Sequence, residues 1–339
     1  MTTTPNGAES GEGSKRPALR EVRFPGYQVY VQARAAANNA IMALLAGSHL
    51  AAHTLLLTEG STRPLDELFP AVPHIRRFNL ITEEARKLLV DAEDHLGAVT
   101  VPYALSIHEA FVMNSIAMMK DADIALKTHK KKISPWNMHE IVFESLDLQP
   151  PALTLEIFHL LRCMRNCQIH GGGVASEDLE TAISSLSTHA KERWEGLCWR
   201  SVDAIVRDGR VTFGTGEIFA AFSITQDLGR EVNGALVSGL GTSYWAKIVV
   251  EDYVSGTNRT RNSDMWMWGL RNFAPIKYSI FQLSNDELAD AARALGRWTR
   301  TDNVGPRIRG KRSVYRKPHG EETQPDQFRS SSHGNGPGT

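Results

Sequence analysis

Near the middle of the chain one short run gathers the side chains that phosphate chemistry needs: Leu160-Leu161-Arg162-Cys163-Met164-Arg165-Asn166-Cys167-Gln168-Ile169-His170, followed by Gly171-Gly172-Gly173. Arginine offers a permanent fork of donors to a phosphate. Histidine titrates near neutrality and is the usual side chain for moving a proton. A base that removes the proton of a 2′-hydroxyl, with a cation that stabilises the charge growing on the phosphate, is the minimum kit for cutting RNA. On an unbroken helix the five steps from Arg165 to His170 turn through about 140°. Both therefore face one site only if the helix ends or distorts before His170, and the three glycines mark where such a break is expected.

The run Arg165-Asn166-Cys167-Gln168-Ile169-His170 resembles the signature of the HEPN family: an arginine, commonly followed by a polar residue, with a histidine a few positions on. The same kind of spacing recurs at Arg312 and His319. What carries the resemblance is therefore context: Asn166, the apolar helix before the motif and the glycines after it. The direct match is confined to this segment, with compatible helical patterning over residues 27–197. The resemblance implies an all-α, HEPN-like helical bundle that forms a homodimer and brings arginine and histidine of two chains into one composite cleft. It implies a metal-independent endoribonuclease leaving 2′,3′-cyclic phosphate or 3′-phosphate ends, with no cofactor, in a toxin–antitoxin, abortive-infection or phage-defence setting. Arg165 would clamp the phosphate, His170 transfer the proton and Asn166 orient or bind the phosphate. Arg162 and Glu109 would support them. RNA and a second copy are the implied partners, with an antitoxin or regulatory protein beside them. Some HEPN proteins are binding or scaffolding modules, so a non-catalytic helical dimer that binds RNA or protein is the alternative.

Other groups carry less. Glu109, beside Ser106 and His108 on an amphipathic stretch, is placed to orient His170 or Arg165 from a neighbouring helix, or to serve as a satisfied structural group. His159, Cys163, Cys167 and His170 fall near one helical stripe, which makes a helical metalloprotein a third reading, but four ligands from a straight helix cannot surround a metal tetrahedrally, and no metal is expected. Asp264 to Trp268 with Arg271-Asn272-Phe273 mixes aromatics with arginine in a pattern that suits base stacking or core packing alike. Phosphate loops ending in Gly-Lys-Ser/Thr, His-Glu-x-x-His, Cys-x-x-Cys and Gly-x-Ser-x-Gly are missing.

The elements that must hold the motif are helical. The 339 residues carry 38 basic and 38 acidic side chains, which excludes a uniformly basic nucleic-acid-coating surface. Three cysteines are too few for a disulfide framework, and residues 1–20 lack an apolar signal, so a cytoplasmic location is expected. No charge occurs between Arg34 and Glu59. Asn38, Asn39, Ser48, His49, His53 and Thr54 interrupt that window, and its stripe of Ile41, Leu44, Leu45, Ser48, Ala52, Leu55 and Leu56 predicts a helix packed on most sides, with no membrane span.

Helices are further predicted over 27–57, 82–95, 102–129 with Pro102 in the first turn, a short stretch after Ser134-Pro135, 153–169, 179–198, 217 onward and 284–298. Lys130, Lys131 and Lys132 are expected to close the helix before them. A small β-hairpin is expected near 202–213, around Asp208-Gly209. The predicted organisation is a disordered N-terminal tail (1–22), a HEPN-like helical domain (23–200), a mainly helical C-terminal extension packed on it (201–300) and a basic disordered tail (301–339). In that last tail Arg307, Arg309, Lys311, Arg312, Arg316 and Lys317 have no acid between them, which suits an arm on nucleic-acid phosphate.

Overall fold

The computed structural model describes residues 21–301, so both tails read from the sequence lie outside the described residues. The described chain is all-α with a small hairpin. Its helices are α1 (Pro25–Leu55), α2 (Leu65–Leu68), α3 (Thr82–Val90), α4 (Ala92–Asp121), α5 (Met138–Ser145), α6 (Ala152–His170), α7 (Glu177–Ser185) and α8 (Thr188–Cys198). Strands β1 (Val206–Arg207) and β2 (Arg210–Val211) follow, and then α9 (Thr215–Gly239), α10 (Thr242–Gly256), α11 (Asp264–Lys277) and α12 (Asn285–Ala294).

The centre of the bundle is α4 against α9. Helix α1 packs on α4 and α3, and α6 packs on α9, α7, α4 and α8. The sequence after residue 200 thus supplies a central helix of the same core. Near the C-terminal end, α10, α11 and α12 enclose Trp245, Trp266, Trp298 and Tyr278, all buried.

Several local expectations change. Pro102 lies inside α4 and not at a helix start. An interior proline costs about 3 kcal/mol, but Thr100, Val101, Ala104 and Leu105 around it are fully buried, and their packing carries the helix through. The stretch 179–198 is two helices, because Ser187 caps a new one by accepting from the Ala190 amide. Helix α4 ends at Asp121, so Lys130, Lys131 and Lys132 sit in a loop, with Lys130 at φ 62. The hairpin has only two residues per strand, joined by Asp208 (φ 51) and Gly209 (φ 72), as an Asp-Gly turn with both central residues left-handed requires.

Helix α1 is not packed on most sides. Tyr27, Tyr30, Ala37, Ile41, Leu45, Ala52 and Leu55 form its single buried stripe, while Leu44 and Leu56 point outward. By length and composition α1 and α4 are both long and apolar enough to cross a membrane, and both pack within this bundle.

Candidate functional site

The motif occupies the last turns of α6. Pro151 opens this helix at its N-cap, and Leu155, Ile157, Phe158, Leu160, Leu161 and Met164 anchor it in the core. The helix does not end or distort before His170; it stays α-helical through that residue. Arg165 and His170 of one chain therefore diverge by the full angle of five residues, about 140°. Arg165 is half-buried and His170 is exposed.

The chain turns immediately after His170. The Gly171 and Gly173 amides both donate to the Cys167 carbonyl, at 2.9 and 3.0 Å. Gly172 (φ 58) and Gly173 (φ 87) are left-handed, where glycine pays no steric penalty. The hairpin pins this turn: the Val211 amide donates to Gly173 O at 2.9 Å, the Ala175 amide to Gly209 O at 2.9 Å, and Arg210 Nη2 to Gly172 O at 2.7 Å.

The two arginines have different surroundings. Arg162 is buried, donates from Nη1 to Glu109 Oε1 at 3.2 Å and lies 4.6 Å from the centroid of Trp136. Burial lowers its pKa; Glu109 opposes that shift and the nearby charge of Arg165 adds to it. Glu109 thus holds Arg162, and not Arg165 or His170 as the sequence suggested. Arg162 is a buried brace between α4 and α6, its Nε without a hydrogen-bond partner and its guanidinium shielded from solvent. Arg165 donates one Nη1 bond to Asn166 Oδ1 at 3.1 Å, and among the described residues no carboxylate pairs with it. Its remaining donors are available to an anion, and Asn166 orients the guanidinium.

Trp136 links this helix to a cleft of about 500 Å³ whose walls include Lys127, Lys131, Lys132, Glu140 and Glu144. Lys127 pairs with Asp147 at 2.5 Å and His129 with Glu144 at 2.7 Å. Lys131 and Lys132 have no carboxylate partner among the described residues. His159 stacks on Trp136 with ring centroids 5.3 Å apart, and its Nε2 lies 3.8 Å from Glu140 Oε1.

No group of three or more histidine, cysteine or acidic side chains among the described residues could hold a metal ion. Cys163, Cys167 and Cys198 are buried free thiols, and burial raises the Cys163 pKa to about 11. In the C-terminal aromatic segment Trp266 is buried core. Trp268 is half-exposed, with the Arg259 guanidinium 5.5 Å from its ring.

A polar core that the sequence reading missed lies between α1, α4, α5 and α9. The Tyr30 hydroxyl donates to Thr225 O, His108 Nδ1 is 3.1 Å from that hydroxyl, and His108 Nε2 is 2.8 Å from His139 Nε2. Because the hydroxyl proton is spent on Thr225, His108 must donate from Nδ1 and accept at Nε2 from His139. That leaves His139 Nδ1 an acceptor, and it is buried without a partner. Burial, aided by Arg34, drops the His108 pKa to about 3, and burial puts His139 well below its usual value. Both rings are neutral packing elements, too deep to meet a substrate. His108 shares a stripe with Leu105, Phe111, Val112 and Ser115, which is the one signal of its burial in the sequence.

Compared with protein-family models, with curated proteins and with solved structures, this chain finds no match.

Proposed function

We propose that this chain is a HEPN-type, metal-independent endoribonuclease of the cytoplasm, acting as a toxin or anti-phage effector under the control of an antitoxin or regulatory partner. The observation that carries this reading is the end of α6. There Arg165 keeps donors free of any carboxylate among the described residues, and exposed His170 stands beside a turn fixed by the hairpin.

His170 takes the proton of an RNA 2′-hydroxyl. The 2′-oxygen bonds to phosphorus and the bond to the 5′-oxygen breaks, leaving a 2′,3′-cyclic phosphate and a 5′-hydroxyl that solvent protonates. Arg165 offsets the charge that grows on the phosphate oxygens. Since α6 runs unbroken to His170, one chain cannot aim both groups at one phosphate, and the reading requires a homodimer that sets Arg165 of one chain against His170 of the other. Lys131 and Lys132, joined to α6 through Trp136, supply further positive charge for RNA.

The purified protein should cut RNA in excess EDTA, leave 2′,3′-cyclic or 3′-phosphate ends and spare DNA, which lacks the nucleophile. RNA bound but uncut would favour a non-catalytic helical dimer. The same unbroken α6, which parts Arg165 from His170 within a chain, favours that second reading.

A further inference from the structure

Helix α1 has three faces, and one of them lacks an occupant. Its buried stripe rests on α3 and α4. A second flank is polar and exposed, with Gln32, Asn39, His49 and His53. The third is apolar and exposed. It starts at Val29 and advances by alternating steps of four and three through half-buried Ala33, then Ala36, Ala40, Ala43, Gly47, Leu50 and Thr54, to Leu57 in the 3-10 turn (Leu56–Thr58) that continues α1, with exposed Leu44 and Leu56 lying off this strip.

Alternate steps of four and three average 3.5 residues, the repeat that keeps a seam turned toward a partner helix, where an isolated helix drifts at 3.6. Leu50 is 70% and Leu57 88% exposed. The polar seam position Thr54 spends its hydroxyl on Leu50 O of its own helix, so it asks nothing of a partner. Solvent-exposed helix faces ordinarily carry charge; this one carries none from Arg34 to Glu59, and Arg34 itself turns to Phe222 O.

We propose that this seam pairs with the same helix of a second copy of the chain. An uncharged, small-residue seam specifies no charged partner, and it complements itself across a two-fold axis. From Val29 to Leu57 it runs about 42 Å and is about 10 Å wide. Such a corrugated strip presents on the order of 600 Å² per copy, close to the roughly 800 Å² per partner of a standard interface. The chain outside the described residues offers no substitute: residues 1–20 hold only Met1 and Leu19 as large apolar side chains, and residues 302–339 are broken repeatedly by glycine and proline. A lipid surface suits α1 poorly, because interfacial helices carry lysine and arginine on their polar face and this flank has none. The pairing is a second contact, separate from the one the ribonuclease reading requires at the end of α6: with both in place the wild type is larger than a dimer and Ala40→Glu leaves the dimer held at α6, and with the α1 contact alone Ala40→Glu leaves a monomer.

Ala43 is the midpoint of the seam, so a two-fold through its centre sets Ala43 against its own copy in either helix direction. The three native cysteines are buried, which makes an introduced thiol selectively reactive. Under mild oxidation of the full-length protein, Ala43→Cys should become mainly a disulfide-linked dimer, while Ala35→Cys, exposed on the same helix but off the seam, should stay monomeric on a non-reducing gel. Ala40→Glu should lower the light-scattering mass to about half that of wild type without loss of helical circular dichroism. Equal cross-linking at positions 43 and 35, or an unchanged mass for Ala40→Glu, overturns the proposal. So does a wild type that is monomeric by light scattering, whether or not it binds neutral phosphatidylcholine vesicles through this face.

Discussion

Arg210 donates from Nη2 to the carbonyl oxygen of Gly172 at 2.7 Å, tying the hairpin to the turn that follows His170. A two-residue-per-strand hairpin is too small to be stable alone. Here it is held to the turn after α6 by this bond, by the Val211 amide donating to Gly173 O and by the Ala175 amide donating to Gly209 O. The hairpin thereby pins the turn in which the motif helix stops.

Arg210→Ala should therefore loosen residues 171–175 with little effect on the bundle. Loss of a charge-assisted bond at an exposed site is worth about 1 kcal/mol. Amide exchange should speed up at Gly173, Ala175 and Val211 while α4 and α9 keep their protection. Uniform acceleration across the protein would show that the hairpin supports the global fold instead.

The two arginines of α6 should separate stability from function. Removing Glu109 leaves the buried Arg162 guanidinium uncompensated, so Glu109→Ala should cost about 2–3 kcal/mol in urea unfolding. Arg165→Ala, at a half-buried side chain with one bond to Asn166, should shift stability by about 0.5 kcal/mol or less. Comparable losses for both variants would contradict their assigned roles.

The buried histidine pair makes stability depend on pH. Burial holds His108 to about 3 and His139 well below its usual value, whereas both titrate near 6.5 in the unfolded chain. Above pH about 6.5 neither state is protonated and the pair contributes no slope. As pH falls below that, the unfolded chain takes up protons that the folded chain refuses, so stability drops by up to about 1.4 kcal/mol per pH unit for each histidine. Urea midpoints between pH 7 and pH 5 should show this decline. The double variant His108→Phe/His139→Leu should flatten it, and an unchanged slope would mean that other groups dominate.

Sequence signals located what is local. Pro150-Pro151 and the glycine run frame α6, Ser284 with Glu287 forms the capping box that starts α12, and Asp208-Gly209 makes the hairpin turn. What escaped is set by partners far along the chain. The break between α7 and α8 is stabilised by Glu156 accepting from the Ser187 amide at 2.8 Å. Glu109 meets Arg162 across 53 positions, and His108 meets His139 across 31. Periodicity marks the stripe on which such a residue lies, but not the residue that answers it. The glycines suggested a helix break before His170; the break falls after it, because the turn can close on the Cys167 carbonyl without unwinding the last helical turn.

An α6 that parts Arg165 from His170 has a consequence for mixed assemblies. If each cleft takes arginine from one chain and histidine from the other, co-expressed Arg165→Ala and His170→Ala subunits form heterodimers with one intact cleft and one empty of both groups. RNA cleavage should return in the mixture although each variant alone is inactive. Continued inactivity of a verified heterodimer would contradict a cleft shared between chains.

The most direct measurement is RNA cleavage in excess EDTA by wild type, Arg165→Ala and His170→Ala at matched helical content. Loss of a proton-transfer group costs about 10²–10⁴-fold, and loss of a charge-stabilising donor about 10²–10³-fold. Each variant should fall by those factors, while Arg312→Ala and His319→Ala, which carry similar spacing in the tail, should turn over at the wild-type rate on saturating RNA. Full activity in His170→Ala would contradict the proposed chemistry outright.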